Sequence, residues 1–410
     1  MQNDAPKAPK RPAREVKNTP DALDRDEAGR IRKTEGNLLK ALHWAGVTLS
    51  FDEFALEYRV QTSDWVKRLD DDTFDDLYLM IEREYFLKLQ VADFRRIVKA
   101  AARRKRFHPV RDYLASLKWD GLERIDSWLI DYAGAADTPF VRAVCRIVLI
   151  AAVRRVREPG CKFDEMLVLE SGEGFEKSTA FEVLASIGWF SDNAPIHEKP
   201  REVIELLRGR WIVECADLAG MRRGEVESLK AFLSRKVDSS TMKYGIETVI
   251  APRQCIFVGT TNERNYLVST TGNRRFWPVR VQPFDIPGLT AVRDQLWAEA
   301  AACEADGESI RLPRELWGVA GEEQAARTAV DEWDELIADW LDSQLAARNL
   351  LSPAGPRVTL PDAAKGALNL GADKLDQRTI ERVAKGLRHA GWERVRSNSK
   401  RYWQPKEQSE

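Results

Sequence analysis

Apolar residues recur at helical spacing through the first third of the chain. "TEGNLLKALHWAG" (34–46) predicts a helix that begins at a capping Thr34. "VADFRRIVKAAARRKRF" (91–107) carries its apolar residues at i, i+3 and i+4 and predicts a second helix. The segment 108–134 predicts two short amphipathic helices around the turn "WDG", and the strongly apolar 138–156 predicts a buried helix.

In the middle of the chain the pattern changes to short, dense apolar runs. "EMLVLE" (165–170), "RWIVEC" (210–215) and "CIFVGTTN" (255–262) are typical of buried strands. Helical patterns such as "EVESLKAFLSRK" (225–236) separate them. This alternation predicts an α/β fold, with a parallel sheet covered by helices on its faces.

Helical patterns return after Pro313, and the last part of the chain forms a small separate unit. A helix from Asp376, a break at Gly391 and two short strands predict a helix followed by a hairpin, as at the end of a winged helix. Residues 379–403 contain seven Lys or Arg and two acids, so we expect this unit to bind the DNA backbone, aided by the aromatic residues Trp392, Tyr402 and Trp403. The candidate DNA contacts are Arg388, Arg394, Arg396, Lys400 and Arg401. An oligomerisation or lid-like module is the alternative.

Composition narrows the class of protein. With 43% hydrophobic and 31% charged residues, the 410-residue chain is typical of a globular protein of several domains. No apolar run reaches the ~18 residues of a membrane span, and the N-terminus lacks the apolar core of a signal peptide, so we expect a cytoplasmic protein with no membrane partner. The five cysteines include no CxxC pair, which argues against a disulfide framework or a zinc site. The net charge of −1 hides local basic runs, of which "RRKR" (103–106) alone indicates only a solvated face.

The segment "LVLESGEGFEKSTAFEVL" (167–184) nearly matches the phosphate-binding pattern G-x-x-x-x-G-K-[ST]. Lys177 and Ser178 stand in their places, but Ser171 and Glu176 replace the two framing glycines. The strand–loop–helix context is the one in which backbone N–H groups converge on an anion. The candidate nucleotide-binding residues are Ser171, Gly172, Glu173, Gly174, Phe175, Glu176, Lys177, Ser178 and Thr179.

Polar residues follow the next two predicted strands. Glu214 and Asp217 end the second strand, where acids hold Mg²⁺ and polarise an attacking water; Ser178 would be the third Mg²⁺ ligand. Thr260, Thr261 and Asn262 end the third strand, at the sheet edge where such folds bind ligands. In "TGNRRFWPV", either arginine at 274 or 275 could complete a neighbour's active site or form an ordinary surface salt bridge.

Six blocks in order resemble the virulence-associated protein E family of phage- and island-encoded proteins. They are "HPVRDYLASLKWDG", "EPGCKFDEMLVLE", "WFSDN", "RGRWIVECADLAGMRRGEVESLKAFLSRKVD", "YGIETVIAPRQCIFVGTTNE" and "GNRRFWPV", and they span residues 107–281. The resemblance implies a core like that of superfamily III helicases, a branch of the AAA+ P-loop ATPases. It also implies a ring, expected to be a hexamer, that uses ATP and Mg²⁺ to move on single-stranded or forked DNA during replication of a mobile element.

The resemblance assigns roles to single residues. Lys177 and Ser178 are the Walker A pair, Glu214 and Asp217 are Walker B, and Asn262 is the first sensor. Arg274 or Arg275 is the arginine finger. The stretch 240–254 falls where this class has a hairpin that grips single-stranded DNA, which implies contacts from Lys243, Tyr244, Gly245 and Arg253. The family's usual glycines are missing at Ser171 and Glu176, and we expect the Glu176 carboxylate to point outward.

These observations divide the chain into six segments. The predicted segments are 1–30, a flexible basic tail; 31–106, a mostly helical domain; 107–160, a helical region leading into the core; 161–318, the P-loop ATPase core; 319–356, a helix and linker; and 357–410, a winged-helix-like domain.

Three functions fit this organisation. The first is an ATP-driven DNA helicase or translocase, and the second is a DNA-binding initiator or regulator whose ATPase site is degenerate, as Glu176 suggests. The third, a kinase of small molecules, lacks an acceptor base. The intact Lys177, Glu214, Asn262 and arginine pair favour the first.

Overall fold

The computed structural model describes residues 23–186, 188–241, 248–267, 272–328, 332–347, 349–352, 355–397 and 400–406. The chain forms two compact units. The first contains Met1–Asp217, Ser228–Asn262 and Arg275–Val319, and the second contains Leu218–Glu227, Glu263–Arg274 and Ala320–Glu410.

The first unit begins with a small α/β region. Its elements are α1 (Glu35–Trp44), β1 (Thr48–Asp52), β2 (Glu57–Gln61), β3 (Val66–Arg68), α2 (Asp71–Tyr85), α3 (Val91–Arg104) and β4 (Arg106–Phe107). Helix α1 begins as predicted, because the Thr34 side chain accepts a hydrogen bond from the Asn37 N–H. The four strands form a sheet in the order β3-β2-β1-β4, which the prediction of a mostly helical domain missed.

Three helices lead into the core: α4 (Pro109–Ser116), α5 (Trp128–Ala133) and α6 (Pro139–Arg157). The Thr138 side chain caps α6, and Pro139 occupies its first turn, where a missing N–H has no cost. Most of α6 is buried, as its apolar sequence predicts.

A five-stranded parallel sheet forms the centre of the first unit. The elements that follow α6 are β5 (Met166–Glu170), α7 (Lys177–Ala185), β6 (Phe190–Ser191), α8 (Pro200–Leu207), β7 (Ile212–Cys215), α9 (Arg223–Leu233), β8 (Val237–Thr241), β9 (Thr248–Pro252), β10 (Ile256–Thr261), β11 (Phe276–Arg280) and α10 (Ile286–Ala305). The strand order is β11-β5-β10-β7-β6, and all pairs are parallel. Strands β5, β7 and β10 are buried at every position, which explains their dense apolar runs and confirms their prediction.

The parallel arrangement places three loops at one edge of this sheet. Residues 171–176 connect β5 to α7, Ala216 and Asp217 follow β7, and Asn262 follows β10. Open parallel sheets bind ligands outside the carboxyl ends of their strands. Strands β8 and β9 form a separate antiparallel hairpin.

The later part of the chain is mostly helical. Its elements are α11 (Trp317–Ala325), α12 (Glu332–Ala346), β12 (Leu351–Ser352), β13 (Gly355–Pro356), α13 (Leu360–Leu368), α14 (Gln377–His389), β14 (Trp392–Ser397) and β15 (Lys400–Pro405). The core of the second unit joins Ile337, Leu341, Val383 and Leu387 from the helices to Trp392 and Trp403 from the hairpin. The predicted helix from Asp376 and the hairpin after Gly391 are both confirmed. In the part of the chain that the structure describes, every helix is too short or too polar to cross a membrane.

Candidate functional site

A cleft of about 500 Å³ opens at the carboxyl ends of β5, β7 and β10. Its lining residues are Glu173, Gly174, Phe175, Glu176, Lys177, Ser178, Thr179, Ala216, Asp217, Thr260, Thr261 and Asn262. These residues come from three chain segments that the sequence analysis identified separately. Of the nine predicted nucleotide-binding residues, seven line the cleft. The other two, Ser171 and Gly172, accept hydrogen bonds from Lys177, which is one of the seven.

Lys177 is the first residue of α7 and is buried at the base of the cleft. Its Nζ donates to Ser171 Oγ at 2.8 Å, to the Gly172 carbonyl oxygen at 3.0 Å and to Asn262 Oδ1 at 2.9 Å. Burial lowers the pKa of the Lys177 ammonium, and the charges of Glu214 and Glu173 act in the opposite direction. Lys177 therefore links the loop after β5 to the end of β10.

Ser178 and Thr260 meet at a buried carboxylate. Glu214 is fully buried near the end of β7, and its Oε1 accepts hydrogen bonds from Ser178 Oγ at 2.8 Å and Thr260 Oγ1 at 2.5 Å. Its Oε2 is buried and has no hydrogen-bond partner among the described residues. A buried carboxylate oxygen without a partner is costly, so this position suits a cation that prefers oxygen ligands.

Asp217 differs from Glu214 in exposure and backbone. It lies two residues beyond β7, is exposed at the cleft and has a left-handed backbone with φ +51°. A non-glycine residue in this region is uncommon and frequently belongs to a functional site. The two acids therefore occupy different depths: Glu214 is buried behind the cleft lining, where Ser178 and Thr260 donate to it, and Asp217 lines the cleft in contact with solvent.

Glu176 adopts the backbone conformation that explains why the phosphate-loop pattern has glycine here. Its φ is +58° and its ψ +30°, in the left-handed region that a Cβ disfavours by about 1 to 2 kcal/mol. The residue is exposed, as expected, and its side chain makes no capping hydrogen bond to α7. It still lines the cleft, so its charge acts on any anion bound there.

A sequence profile of the virulence-associated protein E-like domain matches residues 114–329. This is just over half of the 410 residues, and it includes β5, β7, β10 and every segment that lines the cleft. The chain belongs to the virulence-associated protein E-like family. The matched region begins within α4 and extends past β11, beyond the 107–281 blocks on which the resemblance rested.

Solved structures share the fold of this virulence-associated protein E-like chain. The apo structure of the NrS-1 C terminal region has a TM-score of 0.53 at 12% identity, and the match covers 91% of this chain and 99% of that one. A second, A form apo structure of the same region has a TM-score of 0.50 at 12% identity, with 89% and 98% covered. At this identity the likeness is one of fold. No curated protein matches the chain by sequence.

The two arginines before β11 have different surroundings in this family member. Arg275 is half-buried, and its guanidinium donates to Asp164 Oδ2 at 3.2 Å and to Ser234 Oγ at 3.0 Å. Arg274 is exposed and makes no hydrogen bond or ion pair within the described part of the chain. The sequence did not mark Asp164 or Ser234, because no motif joins residues so far apart along the chain.

The hairpin predicted to grip DNA is present as the pair β8–β9, with Val237 opposite Pro252 and Thr241 opposite Thr248. Its predicted tip, Lys243, Tyr244 and Gly245, lies outside the described residues. Arg253 at its base corrects a prediction. It is 3% exposed, and its guanidinium binds both carboxylate oxygens of Asp238, at 2.7 and 3.2 Å, and lies over the Phe232 ring. Arg253 is therefore a buried structural residue and not a DNA contact.

The C-terminal hairpin keeps its arginines in solvent and its tryptophans in the core. Arg388, Arg394, Arg396 and Arg401 are exposed. Trp392 and Trp403 are 5% and 4% exposed, which contradicts the expectation that they touch DNA. Arg396 lies directly opposite Arg401 in the β14–β15 register, an arrangement of like charges that destabilises a hairpin unless an anion binds it.

Proposed function

We propose that this chain is an ATP-dependent DNA helicase or translocase of the superfamily III type. The observation that carries the proposal is the pairing of four predicted residues at the cleft: Lys177 donates to Asn262 within the lining, and Ser178 donates to Glu214 just behind it. The two pairs bridge 85 and 36 positions of sequence. An ATPase site needs these groups together, whereas a chance Gly-bearing turn does not.

The proposed nucleotide site would form around the N-terminus of α7. The backbone N–H groups of residues 172–177 and the helix dipole favour a bound phosphate at this point. The Lys177 Nζ would exchange its contacts with Ser171 and Gly172 for β- and γ-phosphate oxygens. The loop oxygens that hold Lys177 in place would then be released.

The chemistry of the donor set fits Mg²⁺. Ser178 Oγ and the orphan Oε2 of buried Glu214 are hard oxygen ligands, and Mg²⁺ characteristically takes one or two carboxylates plus phosphate oxygens. When bound, Mg²⁺ would neutralise charge that develops on the phosphates. Thr260 would hold Glu214 in place, and exposed Asp217 with Asn262 would orient the attacking water.

Arg274 is the better candidate for an arginine finger. A finger must reach the γ-phosphate bound by a neighbouring subunit, and Arg274 is exposed, whereas Arg275 is held by Asp164. The proposed assembly is a ring, with six subunits as the superfamily III resemblance implies. Each subunit would complete the site of the next.

The proposed substrate is single-stranded or forked DNA in the replication of a phage or mobile element. The β8–β9 hairpin would contact one strand, and the C-terminal unit would bind DNA as a winged-helix-like module. The like-charge pair Arg396 and Arg401 supports an anionic partner for this unit.

A second candidate function is a DNA-binding initiator or regulator that hydrolyses ATP weakly or not at all. Glu176 favours it, because a carboxylate at the cleft opposes a polyanion and its backbone is in a strained region. Against it, Lys177, Ser178, Glu214 and Asn262 keep the contacts that turnover needs.

A strand-displacement assay separates the two functions. Purified protein with ATP and Mg²⁺ should unwind a forked duplex, and Lys177→Ala should not. A protein that binds the fork with and without ATP but leaves it paired would be the regulator.

A further inference from the structure

The N-terminal sheet has a polar face that the proposed ATP site does not use. Leu49 in β1 and Val60 in β2 pair across the sheet and lie in the hydrophobic core with α1–α3. Because side chains alternate between the two faces of a strand, Ser50, Arg59 and Gln61 project to the opposite face. There they line a cleft of about 430 Å³, a size that suits a small ligand.

The cations in this cleft have unused hydrogen-bonding capacity. The nearest carboxylates to Arg59 are 3.5 Å away at Asp52 and 3.8 Å away at Glu57, and its Nε is buried with no hydrogen-bond partner in the described structure. The Asp52 Oδ1 already accepts from two backbone N–H groups of the following turn, each at 2.9 Å. Lys105 also lines the cleft and is exposed, without an ion pair to any described residue. The unpartnered Nε of Arg59 and the Lys105 ammonium, which has no ion pair within the described structure, favour an anionic ligand.

Aromatic rings stand beside these cations. Phe107 from β4 and Trp189 from the loop before β6 line the same cleft and are half-buried. The Trp189 ring is held by Tyr113 at 5.7 Å and Trp211 at 6.1 Å between ring centroids. An aromatic ring fixed in this way, with one part open to a cleft, is a surface on which a base can stack.

We propose that this cleft binds single-stranded nucleic acid, with phosphates at Arg59 and Lys105 and a base against Trp189 or Phe107. Arg59 lies on β2 and Lys105 just before β4, on either side of β1, so their backbones are two strand spacings, about 10 Å, apart. Such a separation suits successive phosphates of a strand better than one free phosphate. Ser50 and Gln61 would offer hydrogen bonds to base edges.

The proposal gives a role to part of the basic run 103–106. Arg104 in that run binds Glu35 at 2.7 Å and does not line the cleft, whereas Lys105 does. The site shares no residue with the ATP cleft. Only the choice of DNA as the nucleic acid rests on the proposed function.

Binding of a fluorescent oligo(dT) of about 16 nucleotides, a length within the usual site size, tests the proposal by anisotropy. The variant Arg59→Gln/Lys105→Gln lacks two phosphate contacts, so it should bind the oligonucleotide about tenfold more weakly. The slope of log affinity against log salt concentration, measured from about 50 to about 200 mM, should be lower by about 1.4. Arg103→Gln/Arg104→Gln removes the same number of charges from neighbouring positions outside the cleft and should leave the slope unchanged. Equal slopes for the two double variants would overturn the proposal.

Photocross-linking of the unmodified protein to 5-iodouracil oligonucleotides gives an independent result. Cross-linked peptides should contain Phe107 or Trp189. If neither the peptide with Phe107 nor the peptide with Trp189 is cross-linked, the proposal is wrong. Thymidine monophosphate should not compete at concentrations near that of the oligonucleotide; equal competition would identify a mononucleotide site instead. ATP hydrolysis by the double variant Arg59→Gln/Lys105→Gln without DNA should equal that of the wild type. The proposed nucleic-acid site is therefore tested separately from the proposed helicase activity.

Discussion

Lys177 has its three ammonium donors in use within the chain before any phosphate arrives. Three of the acceptors belong to the loop after β5, namely Ser171 Oγ and the carbonyl oxygens of Ser171 and Gly172, and one is the Asn262 amide oxygen. The lysine is therefore positioned by the groups that a nucleotide would displace. Such preorganisation lowers the ordering cost of binding.

The lowered pKa of Lys177 predicts a pH dependence of ATP affinity. Because burial favours the neutral amine, Lys177 in the free protein should lose its proton at a pH below the ordinary lysine value of 10.5, and affinity should fall as the pH rises through that point. Isothermal titration of a non-hydrolysable ATP analogue against pH measures it. Lys177→Arg keeps its charge throughout this range and should show no such fall. If the ATP affinity of the wild type stays constant up to pH 10.5, Lys177 is not the phosphate ligand.

Glu176→Gly should improve the proposed phosphate loop in two separable ways. Removal of the Cβ from a left-handed backbone should raise the free energy of unfolding by about 1 kcal/mol. Removal of the carboxylate should also tighten ATP binding severalfold, since like charges at the cleft repel. Chemical denaturation and nucleotide titration measure the two effects.

Glu176→Gln is the matched control because it removes the charge and keeps the Cβ. It should tighten ATP binding without the gain in stability. If Glu176→Gly binds ATP no better than the wild type, the carboxylate does not act on the nucleotide.

The two arginines before β11 have different partners, so different roles are expected of them. Arg275→Ala should destabilise the protein by about 1 to 3 kcal/mol, because Asp164 and Ser234 lose the hydrogen bonds that Arg275 donates. Arg274→Ala should leave stability unchanged and stop ATP turnover while ATP still binds. Thermal unfolding measures the stability of each variant, and steady-state hydrolysis measures its ATP turnover. If Arg274→Ala destabilises the protein and Arg275→Ala stops turnover, Arg275 is the finger.

The hairpin of β14 and β15 should bind DNA through its opposed arginines. Arg396→Gln/Arg401→Gln should weaken duplex binding and lower the salt slope by about 1.8, since each phosphate contact on a duplex contributes about 0.9. Relief of like-charge repulsion should leave the unit no less stable. Lys365→Gln/Lys374→Gln, at two exposed lysines of the same unit outside the hairpin, is the charge-matched control. Equal slopes for the two variants would favour the oligomerisation or lid-like alternative.

Elements with strong local signals could be predicted from the sequence. Strands β5, β7 and β10 are buried on both faces, so each is an uninterrupted apolar run. The caps at Thr34 and Asp376 marked helix starts because one side chain satisfies a free N–H.

Features decided by distant partners could not be predicted. Strands β1–β4 are two to five residues long, too short for a reliable alternation, and β4 pairs with β1 across more than 50 positions. The sequence predicts a DNA contact at Arg253 because no motif joins it to Asp238 and Phe232, which enclose it. It predicts DNA contacts at Trp392 and Trp403 because their packing against helix residues far along the chain leaves no local pattern.

At the scale of the whole molecule, the proposed helicase needs more than one chain, because Arg274 would serve the cleft of a neighbour. Mixing Lys177→Ala with Arg274→Ala should therefore restore part of the ATPase activity that each variant lacks alone. In a mixed ring, some clefts with Lys177 intact would meet a neighbour with Arg274 intact. If the mixture of Lys177→Ala and Arg274→Ala does not hydrolyse ATP, Arg274 does not act in the site of a neighbouring chain. Native mass with ATP should show a hexameric ring.

The most direct test of the central claim is the steady-state rate of ATP hydrolysis with Mg²⁺, measured with and without single-stranded DNA. The account predicts turnover by the wild type, acceleration by DNA, and none with Lys177→Ala. Hydrolysis at background level under both conditions, by a protein that still binds DNA, would contradict the helicase and leave the regulator.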